Sequence, residues 1–200
     1  MSYLLLGSAI KEVVRFINNK KLDYALIGGL AVSFRTIERT TKDIDFVVAV
    51  SSDNQAEKII RDFRELGFNA VTLMENKKSK AIITVRLLSD NYPSVYLDLL
   101  FGATGIEVEI VASGDLISVL PGLEVNIASL SSLIAMKILS SNNPKRLQDL
   151  VDLQNLILEA SEAELQEAER LIGLIQQRGF DGGVDLLDQY AKFVKKVKDN

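Results

Sequence analysis

One stretch, residues 27–48, constrains the fold of this 200-residue chain more than any other. It opens with Gly28 and Gly29 at the end of one apolar run and closes with Asp43 and Asp45 at the head of another. Because glycine has no Cβ atom, the backbone there can turn sharply and approach a ligand closely, and a following helix N-terminus can face an anion. The pattern predicts a strand, a tight turn that cradles phosphate, a helix start and a second strand.

The acidic end of the same stretch indicates a metal site. On an extended strand, side chains two residues apart share a face, with Cα atoms about 6 to 7 Å apart. Asp43 and Asp45 at that spacing suit magnesium, which takes oxygen ligands and usually keeps substrate phosphates in its shell. A phosphate cradle followed by a carboxylate pair predicts phosphoryl or nucleotidyl transfer.

Composition excludes several other chemistries. The chain has no cysteine and no histidine, which removes disulfides, thiolate nucleophiles, most zinc sites and the commonest general base. Its hydrophobic content of 48% is ample for a core. Since no run of eighteen apolar residues and no secretory leader is present, we expect a cytoplasmic protein without a membrane partner.

The overall charge is acidic, with a formal net charge of −4 and a pI near 5.0. This balance argues against a general nucleic-acid coat protein, and no DNA partner is expected. It leaves room for local basic patches. The candidates are Arg35, Arg39 and Lys42 near the proposed site, Lys77, Lys78 and Lys80, and the tail residues Lys192, Lys195, Lys196 and Lys198.

Hydrophobic periodicity predicts strands in the first part of the chain and helices in the second. We place the boundary near Ala128, which gives an α/β domain at 1–128 and a helical domain at 129–200. Ser161 with Glu164 forms a capping box, and Asp181 is predicted to cap the last helix. Predicted helices cover 2–18, 29–34, 56–66, 129–140, 145–158, 161–178 and 181–198, and predicted strands cover 24–27, 45–50, 69–74, 81–88, 92–101, 116–120 and 123–127.

Three charged positions stand out within this pattern. Asp98 interrupts the apolar run VYLDLLF, and a buried, unpaired carboxylate costs several kcal/mol, so it should face a partner, a metal or water. Lys137 falls on the apolar stripe of its helix and needs an anion there, unless its stem only covers apolar surface. Arg146, Asp149 and Asp152 recur at intervals of three and predict a charged surface ridge.

These motifs carry a family resemblance. The glycine pair, thirteen intervening residues and Asp43-Ile44-Asp45 resemble the signature of the nucleotidyltransferase superfamily. The string from Arg39 to Asp45, R-x-T-x-D-x-D, resembles the AbiEii/AbiGii toxin-like branch, as does the later string around Asp149, which resembles R-x-K-D-x-x-D-L. Gln148 stands where that second string has lysine, which weakens the transfer of a role to this position.

The resemblance implies an α/β (α+β) fold, with a nucleotidyltransferase-type mixed β-sheet flanked by helices and followed by a C-terminal helical part. It implies a nucleoside triphosphate substrate, two Mg²⁺ ions, an RNA acceptor such as a tRNA 3′ end, and a cognate antitoxin protein as partner. The implied metal ligands are Asp43, Asp45 and Asp98, with Asp98 as general base. The implied catalytic set adds Lys137 and Asp149, and the implied nucleotide-binding residues are Gly28, Gly29, Arg39, Lys42 and Arg146.

Other functions stay open at this point. Haloacid-dehalogenase-like phosphatases and many sugar-nucleotide transferases place an apolar strand before their acidic motif, whereas here the strand follows it. Nucleotidyl transfer to a small molecule or to a protein hydroxyl fits the same motifs. So does a non-catalytic module that binds nucleotide or protein, and the isolated signals also fit a plain turn and solvated surface charges.

Overall fold

The structure is a computed structural model that describes residues 2–38, 40–77, 79–141 and 147–199. It has the predicted α/β fold, a mixed sheet with helices around it. The strands are β1 (Tyr24–Ile27), β2 (Asp43–Val48), β3 (Asn69–Glu75), β4 (Ile82–Leu88), β5 (Tyr96–Leu100), β6 (Asp115–Leu120) and β7 (Leu123–Ile127). The helices are α1 (Ser2–Asn19), α2 (Gly28–Arg35), α3 (Asp53–Glu65), α4 (Glu107–Ala112), α5 (Leu130–Ser140), α6 (Leu147–Glu159), α7 (Glu162–Gln177) and α8 (Leu186–Lys198).

The seven strands form one sheet in the order β3-β4-β5-β2-β1-β7-β6. The pair β2–β5 is parallel, as is β1–β7, and the other neighbours are antiparallel. This order puts β2 in the middle, between β1 and β5. The acidic residues of β2 therefore have the end of β1 on one side and the Asp98 strand on the other.

One face of the sheet is covered by the first and third helices. Phe46 of β2 and Phe63 of α3 are fully buried, and the Phe63 ring lies 4.7 Å from the Phe16 ring of α1. Burying a side chain of this size contributes about 1.5 to 3 kcal/mol. Because side chains alternate along a strand, Asp43 and Asp45 point away from this core toward the opposite face.

The opposite face is covered by the C-terminal helices near its centre. Helix α2 contacts both α5 and α6, and α5 packs against α7. The side chain of Ser129 caps α5, and the capping box of Ser161 and Glu164 begins α7 as predicted. The loop between β7 and α5 contains residue 128, and a division of the chain into two domains there stays a prediction.

Two local expectations were wrong. Helix α8 is capped by Asp185, whose carboxylate accepts from the backbone N–H of Asp188 at 3.0 Å, and not by Asp181. Helix α4 was not predicted, because six residues are too few to show a helical period. Of the helices that the structure describes, none is both long and apolar enough to cross a membrane.

Candidate functional site

The predicted acidic residues meet at the centre of the sheet. Asp45 of β2 is paired with Asp98 of β5 on one side and with Ile27 of β1 on the other. Asp43 lies one row away on the same face, opposite Tyr96. The strand pairing thus brings Asp98 beside Asp43 and Asp45, from which it is separated by more than fifty residues in the sequence.

The glycine turn lies directly against this acidic group. Strand β1 ends at Ile27 and helix α2 begins at Gly28, whose φ of 67° is in the left-handed region that favours glycine. A Cβ atom at Gly28 would lie 2.1 Å from Oδ2 of Asp45, which is closer than any side chain allows. The carboxylate of Asp45 therefore fills the space that only glycine leaves, at the first turn of the helix.

Arg86 of β4 is paired with Asp98 and so extends the line of paired residues Asp45 and Asp98 across the sheet. Arg86 was not identified from the sequence. Its Nε donates to Oδ1 of Asp98 at 2.8 Å, and its Nη2 donates to Oδ2 at 2.6 Å. Nη2 also lies 3.5 Å from Oδ2 of Asp43, and the guanidinium sits 5.0 Å from the Tyr96 ring centre. The available signal was a cation inside the apolar strand IITVRLL, matching the carboxylate inside the neighbouring strand.

The carboxylates repel one another. Burial, followed by the charges of Asp98 and Asp43, raises the pKa of Asp45 to about 7, against the opposing charges of Lys137 and Arg86. A carboxyl group with this pKa is partly protonated at neutral pH. Among the described residues of the site, acidic side chains outnumber basic ones.

Lys137 lies at the opposite wall of the site within a buried charge cluster. Its Nζ donates to Oδ1 of Asp149 at 2.5 Å and to Oδ2 of Asp152 at 2.7 Å. Ser140 donates to the other oxygen of Asp149, and Gln148 donates to Asp152. The predicted anion for Lys137 is therefore present. Both aspartates of the predicted charged ridge are buried, whereas α6 turns Leu147, Leu150 and Val151 toward solvent.

These residues enclose a cavity of about 330 Å³. A second cavity of about 280 Å³ adjoins it through Gly28, Asp45 and Lys137, with apolar walls from β5 and α5. Among the described residues, the wall of the first cavity contains four acidic and two basic side chains. Its lining residues are Gly28, Gly29, Thr41, Asp43, Asp45, Arg86, Asp98, Lys137, Gln148 and Asp149.

The basic residues Arg35 and Lys42, predicted near the site, do not line the described cavity wall. Lys42 is exposed and is not part of the described cavity wall. Arg35 lies elsewhere: its Nε donates to the backbone oxygen of Ala128, and its Nη2 forms an ion pair with Asp115 at 2.8 Å. Arg39, Lys78 and Arg146 lie outside the described residues.

The side chains of the site are of the type that binds a hard cation, because carboxylate oxygens converge where acidic side chains outnumber basic ones. In the described part of the chain, however, no three acidic side chains are arranged to hold one metal ion. Both oxygens of Asp98 accept from Arg86. Asp43 and Asp45 are the candidate ligands on β2, and Asp98 is paired in register with Asp45 on the neighbouring strand.

Comparisons with known proteins agree with this geometry. Residues 15–194 match a family model described as "Nucleotidyl transferase AbiEii toxin, Type IV TA system". A comparison with curated proteins found no match.

Solved structures share the fold at low sequence identity. Antibiotic-resistance factor ANT(2″)-Ia, another structure of which contains adenylyl-2″-tobramycin, aligns with a TM-score of 0.57 at 14% identity, over 86% of this chain and 91% of that chain. A nucleotidyltransferase-like protein from Paracoccidioides brasiliensis aligns with a TM-score of 0.52 at 19% identity, over 94% and 91%. MenT4, a nucleotidyltransferase toxin from Mycobacterium tuberculosis, aligns with a TM-score of 0.55 at 14% identity, over 86% and 63%. These likenesses show the nucleotidyltransferase fold.

Proposed function

The chain belongs to the AbiEii nucleotidyltransferase toxin family, and on that premise we propose that it transfers a nucleoside monophosphate from a nucleoside triphosphate to an acceptor hydroxyl. The observation that carries the proposal is the contact between the Gly28 turn and Asp45, which places a helix start beside a metal-type carboxylate group. This arrangement brings a triphosphate and its cations to one point.

On the nucleotide side, Gly28 and Gly29 hold the triphosphate at the start of α2. Lys137 offsets phosphate charge from the opposite wall, with Asp149 and Asp152 fixing its ammonium group. Arg39, Lys42 and Arg146 are the further phosphate-binding candidates. The 280 Å³ cavity under α5 gives the nucleotide an apolar neighbour beyond Asp45. In this proposal the C-terminal helices, 129–200, close the nucleotide cleft over the α/β part, 1–128.

Two magnesium ions would be held by Asp43, Asp45 and Asp98, and when bound they would neutralise charge on the attacking and leaving oxygens. Asp98 accepts the proton of the acceptor hydroxyl. The acceptor oxygen then forms a bond to the α-phosphorus, the bond from that phosphorus to the β-phosphate bridge breaks, and pyrophosphate leaves. Arg86 orients Asp98 for this step through its two parallel hydrogen bonds.

We propose RNA, such as a tRNA 3′ end, as the acceptor. The toxin description of the family and the likeness to the MenT4 toxin support it. Transfer to a small molecule is the second candidate, since an ANT(2″)-Ia structure contains adenylyl-2″-tobramycin and the excess of acidic side chains in the described cavity wall would attract such a polycation.

The family description also supports a cognate antitoxin as partner and a cytoplasmic site of action. Both belong to this proposal.

The test of the nucleotide site is a thermal-shift titration with each of the four ribonucleoside triphosphates, with and without magnesium. Ligand at about one hundred times its Kd adds roughly 2.7 kcal/mol of stability. We expect stabilisation that requires magnesium in the wild type and is lost in Asp45→Asn, each compared with its own ligand-free Tm. The exposed Asp90→Asn is the matched control. Equal stabilisation of Asp45→Asn and the wild type would remove the metal site from the proposal.

A further inference from the structure

The sheet face that carries the aspartates is covered on one side of them and open on the other. Toward β1, helix α5 lies over Asp45 and encloses the apolar cavity. Toward the sheet edge, β3 is exposed along its whole length. In β4, Val85 and Leu87 are fully buried against the α3 side, whereas Thr84 and Arg86 on the aspartate face are partly exposed.

A continuous row of side chains leads across this open face to the site. Thr72 of β3 is paired with Arg86, Arg86 with Asp98, and Asp98 with Asp45. Thr72, Met74, Thr84, Arg86 and Asp98 line a hollow of about 230 Å³, which we name the open-face groove. It shares Arg86 and Asp98 with the main cavity, so a ligand in the groove reaches the proposed proton acceptor directly.

The groove offers hydrogen-bond donors, and among its described lining residues the charge of Arg86 is paired with that of Asp98. Arg86 uses Nε and Nη2 for Asp98, while its Nη1 makes no hydrogen bond to any described residue. Lys77 and Lys80 are exposed in the β3–β4 hairpin connection, roughly 17 to 20 Å along the strands from Arg86. The exposed Glu75 lies beside them and partly offsets their charge.

We propose that the open-face groove is the acceptor subsite, and that Arg86 binds the phosphate next to the reacting hydroxyl of a single-stranded nucleic-acid end. The inference rests on the proposed nucleotidyl transfer. The N–H groups of Nη1 remain to donate to a phosphate oxygen, and the Tyr96 ring, 5.0 Å from the guanidinium, supports its position. Because the groove continues to the open edge of the sheet, it admits a chain and does not enclose a small molecule.

The first test measures binding without turnover. A short fluorescein-labelled single-stranded RNA with a free 3′ hydroxyl is titrated by fluorescence anisotropy between about 50 and 200 mM salt, with no nucleotide present. We expect Arg86→Gln to raise Kd about tenfold and to lower the slope of log K against log salt by about one. Arg64→Gln, which removes the same charge from an exposed position on α3, should leave both unchanged. Equal values for Arg86→Gln and the wild type would overturn the proposal.

A second pair of variants covers the case in which Arg86→Gln does not fold. Thr72 is exposed at the outer end of the row and supports no buried group. Thr72→Glu should weaken RNA binding several-fold relative to the neutral Thr72→Gln, because it places a negative charge in the groove. Equal RNA binding by these two variants would place the acceptor elsewhere.

The triphosphate titration separates the two proposals. Wild-type protein that is stabilised by a triphosphate with magnesium but binds no RNA overturns the acceptor subsite and leaves nucleotidyl transfer standing. Wild-type protein that binds RNA but no triphosphate in either order of addition overturns the proposed function instead.

Discussion

Single residues decide whether the site can exist. Gly28 leaves the space that the Asp45 carboxylate fills, Arg86 holds both oxygens of Asp98, and Lys137 is fixed by two buried aspartates. Each of these contacts joins residues from different elements. A change at one of them therefore alters both the stability of the fold and the geometry available to a ligand.

Gly28→Ala should be far more damaging than its backbone conformation alone requires. Gly122 has nearly the same φ, 69° against 67°, but open space where its Cβ would stand. Gly122→Ala should cost about 1 to 2 kcal/mol of unfolding free energy for the left-handed backbone. Gly28→Ala should cost more, because Asp45 must move, and should also lose triphosphate stabilisation. Urea unfolding of both variants measures the two losses of unfolding free energy. Equal losses would mean that Asp45 moves away from the new Cβ atom at no energetic cost.

Lys137→Met should destabilise the protein by about 3 to 5 kcal/mol, because it removes the buried ammonium group that Asp149 and Asp152 share. Lys192→Met is the control, since it breaks an exposed pair with Asp188 one helical turn away and should behave like the wild type. The measurement is the unfolding free energy in urea at pH 7. A Lys137→Met protein as stable as the control would show that the buried aspartates find other partners.

The raised pKa of Asp45 predicts a pH dependence for the metal-free protein. Between about pH 4, where an unfolded aspartate titrates, and about pH 7, the folded state keeps a proton that the unfolded state releases. Stability should therefore fall as pH rises through this window, by at most about 1.4 kcal/mol per pH unit. Asp45→Asn lacks this contribution, so its stability relative to the wild type should grow from pH 4 to pH 7. Parallel plots of stability against pH for the wild type and Asp45→Asn, in a chelator-containing buffer, would contradict the raised pKa of Asp45.

At the scale of elements, strand pairing explains why the acidic site was predictable and its cation was not. Asp43 and Asp45 alternate on one strand, and Asp98 interrupts an apolar strand, so both patterns show in the sequence itself. The Arg86–Asp98 pair depends on the register between β4 and β5, which no local pattern reveals. Periodicity also leaves open which helix face is buried, and α6 buries Asp149 and Asp152 while exposing four apolar side chains.

The start of α8 gives a prediction at this scale. Asp185→Ala should cost about 1 kcal/mol, because the backbone N–H of Asp188 loses its acceptor. Asp181→Ala, at the position that the sequence pattern favoured, should change the unfolding free energy by less than about 0.5 kcal/mol. Chemical unfolding monitored by circular dichroism compares the two. A larger loss in Asp181→Ala would restore the earlier cap assignment.

At the scale of the whole molecule, the buried apolar residues form one cluster. It contains residues of the sheet, such as Phe46 and Leu99, and residues of the last helices, such as Ile172 and Leu186. The cavity likewise takes its walls from both parts of the chain. The boundary predicted at residue 128 therefore does not separate two independent hydrophobic cores.

We expect one cooperative unfolding transition for the whole chain. The tyrosines report on both parts, since Tyr24 is buried in the sheet and Tyr190 is buried in α8. Far-ultraviolet circular dichroism follows the helices. Coincident urea curves by tyrosine fluorescence and circular dichroism would support the single core. Two separated transitions would show that 1–128 and 129–200 unfold as distinct domains.

The distribution of the site along the chain has a consequence for protein synthesis. A ribosome that has completed every strand of the sheet has not yet released Asp149 and Asp152, the two residues that hold Lys137 in place. The cavity is therefore incomplete on the nascent chain until α6 has emerged from the exit tunnel. A messenger RNA truncated upstream of the α6 codons encodes the sheet and its aspartates. It does not encode the α6 residues that line the opposite wall of the cavity.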